Sequence, residues 1–428
     1  MLPGSDKRRK VAVLGLGYVG LPLAVAMCEA GHRVAGFDVD AGRLCDIVAG
    51  RTGLVDLDHD ALARALKRGD LVVTGEPGDL AACEVYLVCV PTPLRDGVPN
   101  LSMVLAAVDT VAETLAPGDL VVLESTTWPG TTEEVVAPRL RERTALVAGT
   151  DVRLVFSPER IDPGNREYPL ARIPKLVGGV TRADGEFAAE FYGTFIDTVH
   201  LVSGAAEAEL AKILENTFRH VNLALVNELA TMYSGTSIDL REAIDAAATK
   251  PFGFLPFHPG PGVGGHCIPV DPMYLTRQTR RSGRCLRLVE TAELINIGMS
   301  THVVDRVTGL LNSVRMPVRG SRIVLLGAGY KPDVADSRES SAFPIMDRLH
   351  QLGAYIRWHD PLLGSVDKGP PGSRVADLDR SLLASADLVL LHTPHAEYVG
   401  SELLPAARLT LDAHGALRSR RLPNVHGL

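Results

Sequence analysis

The stretch that decides the fold reads Val11-Ala-Val-Leu-Gly-Leu-Gly-Tyr-Val-Gly20. The apolar run from Val11 to Leu14 predicts a short buried strand, and the run from Leu21 to Ala30 predicts a helix that ends at Gly31. Between them lies the pattern G-x-G-x-x-G. Its first glycine permits a tight turn, its second lets the backbone approach a pyrophosphate, and its third lets the helix pack close to the strand. The stretch therefore predicts a dinucleotide site at the start of a Rossmann-like sheet.

The next predicted strand carries an acid at its end. Val34 to Phe37 forms this strand, and Asp38 follows it, about 20 residues beyond the glycines. A carboxylate here accepts hydrogen bonds from ribose hydroxyls and repels a 2′-phosphate, which favours NAD over NADP. We therefore expect NAD as the cofactor, held by Gly15, Gly17, Tyr18, Val19, Gly20 and Asp38.

Three further predicted strands run into polar or proline-containing loops. They are Val85 to Val90, Leu120 to Leu123 and Leu154 to Phe156. Strands that alternate with helices predict a doubly wound parallel sheet, whose ligands bind at the carboxyl ends of the strands. Thr92, Thr126 and Glu159 follow these strands, so we expect them near the nicotinamide or the substrate. The alternative is that each is a turn or cap residue without a binding role.

A second unusual stretch, Pro259 to Pro272, is rich in glycine and proline and carries one cysteine. No regular helix or strand tolerates that density of the two residues, so the stretch predicts a shaped loop beside a ligand. Cys267 stands next to His266 and shortly before Asp271. A thiol beside a proton acceptor is the arrangement that nucleophilic catalysis uses. The alternative is that Cys267 is a small buried apolar residue.

The composition is that of a soluble globular protein with two or three domains. Of the 428 residues, 46% are hydrophobic and 22% are charged, and the net charge is -7. The acidic balance argues against a nucleic-acid partner. The six cysteines form no C-x-x-C pair, which is typical of reduced thiols in a cytosol and not of a zinc site. No run spans a membrane and no signal peptide is evident, so we expect a cytoplasmic protein without metal or membrane partner.

A long helix is predicted from Ala205 to Ser234. Apolar residues recur there at helical spacing, and the stretch contains no internal proline or glycine. Lys212 and Asn216 are four residues apart and share one helix face, which would let both project into one pocket. A solvated polar pair is the alternative.

A second, smaller Rossmann-like domain is predicted from about Val318. Its strands are predicted at Arg322 to Leu326, Ile356 to Asp360 and Asp387 to His392. Lys331 suits a phosphate or a sugar hydroxyl, and Arg338 suits a phosphate that it would bind as a fork. For Arg338 the alternative is a salt bridge with Asp336 or Glu339. The tail from Arg418 to Leu428 is expected to be mobile.

Taken in order, the motifs resemble those of the UDP-glucose/GDP-mannose dehydrogenase family of nucleotide-sugar 6-dehydrogenases. The resemblance runs from about Val11 to about Asp412. The motifs are Gly15-Leu-Gly-Tyr-Val-Gly20, Val90-Pro-Thr-Pro93, Glu124-Ser-Thr-Thr-Trp-Pro-Gly-Thr-Thr132, Ser157-Pro-Glu-Arg160, Gly262 to Cys267, Gly329-Tyr-Lys-Pro-Asp333 and Asp336-Ser-Arg-Glu339.

The resemblance implies a fold, a division into domains and a reaction. The expected fold is α/β, with two Rossmann-like doubly wound domains joined by a long central helix. Residues 1–200 would bind NAD, residues 201–317 would form a central dimerisation domain with the cysteine loop, and residues 318–428 would bind the nucleotide sugar. The reaction would oxidise the C6 alcohol of a UDP-sugar to the uronate, with two NAD per sugar, and the protein would be a homodimer.

The resemblance also assigns the site residues. The catalytic set would be Cys267, Lys212, Asn216, Asp271, Glu159 and Thr126. Cofactor contacts would come from the glycine loop and Asp38, together with Thr92, Thr126 and Arg338. Substrate contacts would come from Glu159, Arg160, Lys212, Phe257, Gly264 and Lys331.

Within the family, three motifs are similar to enzymes acting on UDP-N-acetylhexosamines: Ser157 to Asn165, Thr249 to Phe254 and Gly264 to Pro272. UDP-glucose and GDP-mannose enzymes tend to carry serine where this chain has His266. The chain also departs from the family at Thr393-Pro394-His395, where an aspartate is usual, and at His414, where an arginine is usual. Three alternatives stay open: a UDP-glucose 6-dehydrogenase, a two-electron alcohol dehydrogenase, and a non-catalytic relative that only binds NAD and a nucleotide sugar.

Overall fold

The computed structural model describes residues 8–54, 56–95, 98–162, 164, 167–281, 283–364 and 372–428. Pro163 and Asn165, which belong to the motif from Ser157 to Asn165, lie outside the described residues. Contacts divide the chain into two compact units. The first unit is Met1–Glu215 with Met273–Gly283, and the second is Asn216–Pro272 with Arg284–Leu428.

Strands and helices alternate along most of the chain. The strands are β1 (Lys10–Leu14), β2 (Arg33–Phe37), β3 (Leu71–Thr74), β4 (Val85–Val88), β5 (Leu94–Arg95), β6 (Val98–Pro99), β7 (Leu120–Leu123), β8 (Arg153–Phe156), β9 (Lys175–Gly179), β10 (Val199–Leu201), β11 (Arg322–Leu326), β12 (Tyr355–His359), β13 (Ser373–Arg374), β14 (Leu388–Leu391), β15 (Thr410–Asp412) and β16 (Val425–Gly427). The helices are α1 (Gly20–Glu29), α2 (Ala41–Val48), α3 (His59–Arg68), α4 (Ser102–Ala112), α5 (Ala137–Thr144), α6 (Arg182–Tyr192), α7 (Ala205–Tyr233), α8 (Leu240–Ala248), α9 (Asp271–Arg281), α10 (Arg287–Ser313), α11 (Ala342–Gln351), α12 (Arg380–Ser385) and α13 (Ala396–Val399).

The first unit is built on an eight-stranded sheet in the order β10-β9-β8-β7-β4-β1-β2-β3. All neighbouring strands are parallel except β8 and β9. Strand β1 is apolar and buried because both faces of the sheet are covered: Val11 and Val13 pack into one core, and Ala12 and Leu14 into the other. The strand order reverses at β1, with β2 and β3 on one side of it and β4 and β7 on the other. The loops after β1 and β4 therefore flank a topological switch point, the place where ligands bind in such sheets.

The second unit contains a six-stranded sheet in the order β13-β12-β11-β14-β15-β16, and every pair is parallel. Strand β11 alternates in the same way, with Ile323 and Leu325 in one core and Val324 and Leu326 in the other. Helix α10, which the sequence analysis did not predict, packs its buried face into the first of these cores. Among the described residues, no helix combines the length and apolarity needed to cross a bilayer.

The expected fold class, two Rossmann-like doubly wound domains joined by a long helix, is confirmed. Most strand predictions are right within two residues, and α7 ends one residue before the predicted end. The expectation of a mobile tail is wrong. Val425–Gly427 forms β16 and pairs with β15, whose edge would otherwise expose unpaired backbone groups. The division into three domains stays a prediction. The two sheets are the part of the fold that bears on function.

A buried aspartate closes the turn after β11. Asp360 follows β12, is fully buried, and accepts the backbone N–H groups of Ala328 (2.8 Å) and Gly329 (2.9 Å). Its carboxylate also lies 3.2 Å from His395 Nε2 and accepts the N–H of Leu362 at 2.9 Å. Burial alone would raise the pKa of Asp360, but the hydrogen bonds from His395 and the backbone outweigh burial and hold the pKa well below its usual range. The ionised carboxylate therefore stabilises this turn.

We predict that Asp360→Asn lowers the stability of the chain by about 3 kcal/mol at pH 7, because an amide cannot accept all of these bonds. Because the folded-state pKa of Asp360 is depressed, its stabilisation is complete above the unfolded-state pKa of about 3.9 and is lost as the pH falls from there through the folded-state pKa. The difference from wild type should therefore shrink progressively below about pH 4. Urea denaturation followed by circular dichroism measures both effects. The matched control is Asp347→Asn, an exposed aspartate on α11. An equal loss in both variants, or a difference independent of pH, would contradict the prediction.

Candidate active site

The glycine loop after β1 has the geometry that a dinucleotide needs. Gly15 has φ +95°, and a Cβ there would lie 2.7 Å from the carbonyl oxygen of Cys89 at the end of β4. A Cβ on Gly20 would overlap the carbonyl oxygen of Gly15, so α1 packs directly on the turn. Above Gly17 the space is open, and a Cβ would meet only Arg43 Nη1 at 3.7 Å. Two glycines therefore make the turn tight, and the third leaves room for a phosphate group to approach the backbone.

The residues around the loop also fit NAD. Val19 gives α1 no side-chain cap, and the first turn carries no acid, so the helix N-terminus presents N–H groups suited to an anion. Asp38 is 7% exposed and accepts the N–H of Leu16 at 2.9 Å. Arg43, which the sequence analysis missed, lies 3.4 Å from Asp38 and beside Gly17. The sequence could have indicated Arg43, because it is a basic residue in the helix that follows Asp38.

The loops after β4 and β7 place the two predicted threonines. Thr92 is buried, and its carbonyl oxygen accepts the hydroxyl of Tyr274 on α9. Thr126 is half-buried directly after β7. The end of its loop is held by Glu209 of α7, whose carboxylate accepts the N–H groups of Gly130 (2.5 Å) and Thr132 (2.8 Å). Burial raises the pKa of Glu209 to about 7. The loop is thus fixed from within the first unit.

Glu159 lies after β8 with a carboxylate that folds back on its own loop. Its Oε1 accepts the N–H groups of Arg160 (2.6 Å) and Ile161 (2.7 Å). Its Oε2 lies 3.5 Å from Nζ of Lys175, the buried first residue of β9. Arg160 forms an ion pair with Glu215 of α7 at 2.7 Å. Sequence reasoning missed Lys175, although a lysine at the head of the apolar run Leu176 to Val180 was a signal.

Helix α7 carries Lys212 and Asn216 as predicted. Lys212 is 9% exposed and belongs to the first unit, and Asn216 is half-buried and belongs to the second. Asn216 donates its side-chain amide to Oδ2 of Asp271 at 2.5 Å. A solvated surface pair, the alternative for these two residues, is therefore not what the structure shows.

The cysteine loop packs against the segment that follows β11 of the second sheet. A Cβ on Gly265, which has φ +84°, would lie 2.7 Å from the ring of Tyr330, and a Cβ on Gly264 would lie 2.6 Å from Cβ of the same tyrosine. The N–H of Gly265 donates to the carbonyl of Arg338 at 3.0 Å. At the start of the loop, the N–H of Gly260 donates to Oδ1 of Asn227 on α7 at 3.0 Å. Only glycine permits this close approach, which explains the composition of the loop.

Cys267 sits at the end of this loop, just before α9. Its Sγ lies 3.2 Å from Nδ1 of His266, and the thiol is half-buried. Its carbonyl accepts the N–H groups of Val270 (3.2 Å) and Asp271 (2.8 Å), so the turn into α9 fixes the backbone of the cysteine. Asp271 is 3% exposed and is held by Asn216. Within the second unit, a thiol, an imidazole, a carboxylate and an amide therefore lie in one short segment and the helix beside it, which is the chemistry of covalent catalysis.

The remaining predicted residues lie around the same loop. Lys331 follows Tyr330 and is half-buried. Arg338 forms a fork on Asp336, with its Nη2 at 2.6 Å from Oδ2, so the salt-bridge alternative is present in the structure. The ring of Phe257 lies 5.9 Å from that of Phe218 on α7.

The position where an arginine is usual holds a histidine, but a different arginine lies beside it. A Cβ on Gly415 would lie 2.5 Å from Nε of Arg241. The Nη2 group of the same arginine donates to the carbonyl of Pro259 at 2.5 Å. The ring of His414 lies against Gly260. Sequence reasoning missed Arg241, because nothing in the local pattern of α8 points to a glycine more than 170 residues further on.

Comparison with known families accounts for almost the whole chain. Residues 9–196 match the NAD binding domain of the UDP-glucose/GDP-mannose dehydrogenase family. Residues 206–297 match the central domain of that family, and residues 324–419 match its UDP binding domain.

Individual relatives are similar over the same length. The UDP-N-acetyl-D-glucosamine 6-dehydrogenase of Pseudomonas aeruginosa is 36% identical over 363 residues, which cover 84% of this chain and 85% of that protein. The structure of a UDP-D-ManNAc dehydrogenase from Pyrococcus horikoshii has a TM-score of 0.89 and 30% identity, with 98% of both chains covered. The structure of a UDP-glucose dehydrogenase from Pyrobaculum islandicum also has a TM-score of 0.89, at 26% identity, and covers 100% of this chain and 99% of that one.

The glycine loop with its acid, the cysteine loop and the second parallel sheet are thus found in a chain that matches one family in three consecutive segments. The chain belongs to the UDP-glucose/GDP-mannose dehydrogenase family and is an NAD-dependent nucleotide-sugar dehydrogenase.

Proposed function

We propose that the protein oxidises the C6 alcohol of a UDP-N-acetylhexosamine to the uronate in two steps, through a covalent intermediate on Cys267. The observation that carries the proposal is the segment from His266 to Asp271, where the thiol has an imidazole nitrogen at 3.2 Å and the carboxylate has the Asn216 amide at 2.5 Å. UDP-N-acetylglucosamine is the first candidate for the substrate.

The first oxidation needs a base for the C6 hydroxyl proton. We assign this role to a water linked to Lys212 or Asp271, both of which are at least nine-tenths buried. Each oxidation removes one proton and one hydride from the substrate, and bound NAD supplies the hydride acceptor, twice per sugar. The residues that would hold NAD are the glycine loop, Asp38 and Thr92.

Cys267 accounts for the second oxidation. Its thiolate adds to the C6 aldehyde to give a thiohemiacetal, and loss of a second hydride gives a thioester. An amide has two N–H donors, of which Asn216 gives one to Asp271, and we assign the other to the developing oxyanion together with Lys212. Water oriented by Glu159 or Asp271, with Thr126 as an anchor, then cleaves the thioester to the carboxylate and the free thiol. The covalent bond keeps the reactive aldehyde from leaving between the two steps.

The choice of sugar rests on His266 and on the relatives. The names of two similar proteins give N-acetylhexosamines as substrates, and UDP-glucose enzymes tend to carry serine at this position. The main alternative is UDP-glucose 6-dehydrogenase activity, which the name of the Pyrobaculum protein states for that protein. A two-electron alcohol dehydrogenase would need no cysteine.

We further propose a homodimer in the cytoplasm. Helices α7 and α10 leave large apolar side chains exposed in the single chain, including Phe218, Leu225, Met232 (71%), Leu294 (72%) and Ile297. Such a set on two neighbouring elements of one unit marks an interaction surface. A reducing compartment keeps the Cys267 thiol available.

The covalent step predicts the behaviour of Cys267→Ser. This variant should bind NAD and the UDP-sugar as wild type does, but its uronate formation should fall by at least about 10³-fold, because no thioester can form. Titration calorimetry measures binding, and mass spectrometry of the products measures the uronate. Cys285→Ser changes an exposed cysteine and is the matched control, with activity retained. Uronate at the normal rate from Cys267→Ser would rule the mechanism out.

The number of NADH molecules formed per sugar tests both the proposed mechanism and the choice of substrate. With limiting UDP-N-acetylglucosamine and excess NAD, absorbance at the NADH band should show two NADH per sugar consumed. Two NADH with UDP-glucose alone would keep the mechanism and overturn the choice of sugar. One NADH per sugar would overturn the role of Cys267.

If the protein is a dimer, charges placed on the exposed apolar face of α10 should lower its mass in solution to that of a monomer. Leu294→Glu combined with Ile297→Glu should convert a dimer into a monomer in sedimentation velocity, because two buried carboxylates would face an apolar partner. Leu352→Glu, at an exposed leucine after α11, is the control and should stay a dimer. A monomeric wild type, or a dimer that survives the double change, would contradict the proposal.

A further inference from the structure

A cluster of charged groups lies buried beneath Glu159 in the first unit. We call it the Lys175 cluster and define it by Lys175, Glu124, Glu159 and Tyr192. The ammonium of Lys175 lies 2.5 Å from Oε2 of Glu124 and 3.5 Å from Oε2 of Glu159. Tyr192 donates its hydroxyl to the other oxygen of Glu124. The side chains of Lys175 and Glu124 are 4% and 0% exposed, and only Glu159, at 10%, reaches towards the surface.

The cluster is costly for stability alone. One ammonium faces two carboxylates out of water, and apolar residues of the same size would stabilise such a site as well or better. Burial raises the pKa of Glu124 to about 7, and the nearby Lys175 counteracts only part of that shift. A core with a purely structural role would not need these charged groups. The other contacts of Lys175 therefore bear on its role.

Lys175 contacts both the backbone and the side chain of the loop that carries Glu159. Its ammonium donates to the carbonyl of Pro158 at 3.2 Å as well as facing Glu159 Oε2. Glu159 Oε1 is already occupied by two backbone N–H groups of its own loop. The loop N–H groups at Oε1 and Lys175 at Oε2 therefore together fix the rotation of the Glu159 carboxylate about its Cγ–Cδ bond.

We propose that Lys175 is a positioning residue that holds the Glu159 carboxylate in the orientation needed to direct water onto the thioester. The inference rests on the proposed function, in which Glu159 orients that water. Glu124 and Tyr192 keep Lys175 in place and do not themselves act on the substrate. The competing explanation is that Lys175 only neutralises Glu124, to which its contact is shorter.

Removing both charges separates these explanations. Lys175→Met combined with Glu124→Gln deletes the cation without leaving Glu124 as an uncompensated charge. Glu124→Gln alone is the matched control, because the amide oxygen of glutamine still accepts the hydrogen bond from Lys175 and so keeps the lysine beside Glu159. If the double variant fails to fold, Lys175→Leu with Glu124→Leu and Tyr192→Phe replaces the same polar groups by apolar ones. Circular dichroism and thermal unfolding establish which variants are folded.

The readout is the step that slows. Each variant is mixed rapidly with NAD and UDP-N-acetylglucosamine, or with whichever UDP-sugar wild type turns over, and acid-quenched protein is weighed by intact mass spectrometry. The control should behave as wild type. The folded variant without Lys175 should release two NADH per site in a burst, then turn over about 10–100-fold more slowly, with a uronyl adduct on the protein. A normal steady-state rate, or slow release of the first NADH without an adduct, would overturn the role of Lys175.

Glu159→Gln tells this inference apart from the proposed function. The proposed function predicts the same burst and adduct for this variant, since it removes the group that directs the water. If Glu159→Gln accumulates adduct and the variant without Lys175 does not, only the inference about Lys175 fails. If Glu159→Gln hydrolyses the thioester at the normal rate, the role that the proposed function assigns to Glu159 is wrong, and the inference about Lys175 is wrong as well.

Discussion

Parallel strands bring all their carboxyl ends to one edge of a sheet, and this constraint arranges both units of the protein. In the first unit it puts the glycine turn after β1 against Cys89 at the end of β4. In the second it puts the segment after β11 beside the cysteine loop, where Tyr330 leaves no room for a side chain on Gly264 or Gly265. The loops to which we assign the chemistry are therefore shaped by the strands that they follow or contact. Glycine is the residue that allows their backbone to pack on another backbone or on a ring.

The two sheets share a strand order but use the acid after their second strand differently. Asp38 accepts the N–H of Leu16 and lies beside the open space above Gly17, so its turn can receive a phosphate group. Asp360 takes the N–H groups of the turn itself, at Ala328 and Gly329. These two N–H groups are therefore already taken by an ionised carboxylate. The same topology thus gives one turn with room for a phosphate group and one turn closed by its own carboxylate.

The local sequence pattern was sufficient to predict α7, several strands of both sheets, and those site residues whose type alone indicates a role. The glycine spacing, the apolar runs of β1 and β11 and the single cysteine in its loop are all visible without knowledge of long-range contacts. The tail was predicted wrongly because β16 exists only through its pairing with β15, and that pairing leaves no local trace. Lys175 and Arg241 were missed for a related reason. Whether a charged residue is buried depends on the partners that the fold supplies, such as Glu124 for the lysine and the Pro259 carbonyl for the arginine.

The two departures from the family pattern do not leave the second unit incomplete. Pro394 replaces the usual aspartate, yet the adjoining His395 still contacts Asp360 and accepts the N–H of Asp333 at 2.9 Å. Where an arginine is usual, His414 is followed by a glycine, and the guanidinium of Arg241 fills the space over that glycine. A side chain at position 415 would displace Arg241, so the position of this arginine depends on the glycine. A degenerate binding protein would be expected to lack such groups, whereas here a guanidinium lies beside the start of the cysteine loop and the buried Asp360 has its hydrogen-bond partners. The two departures are accordingly no argument against dehydrogenase activity.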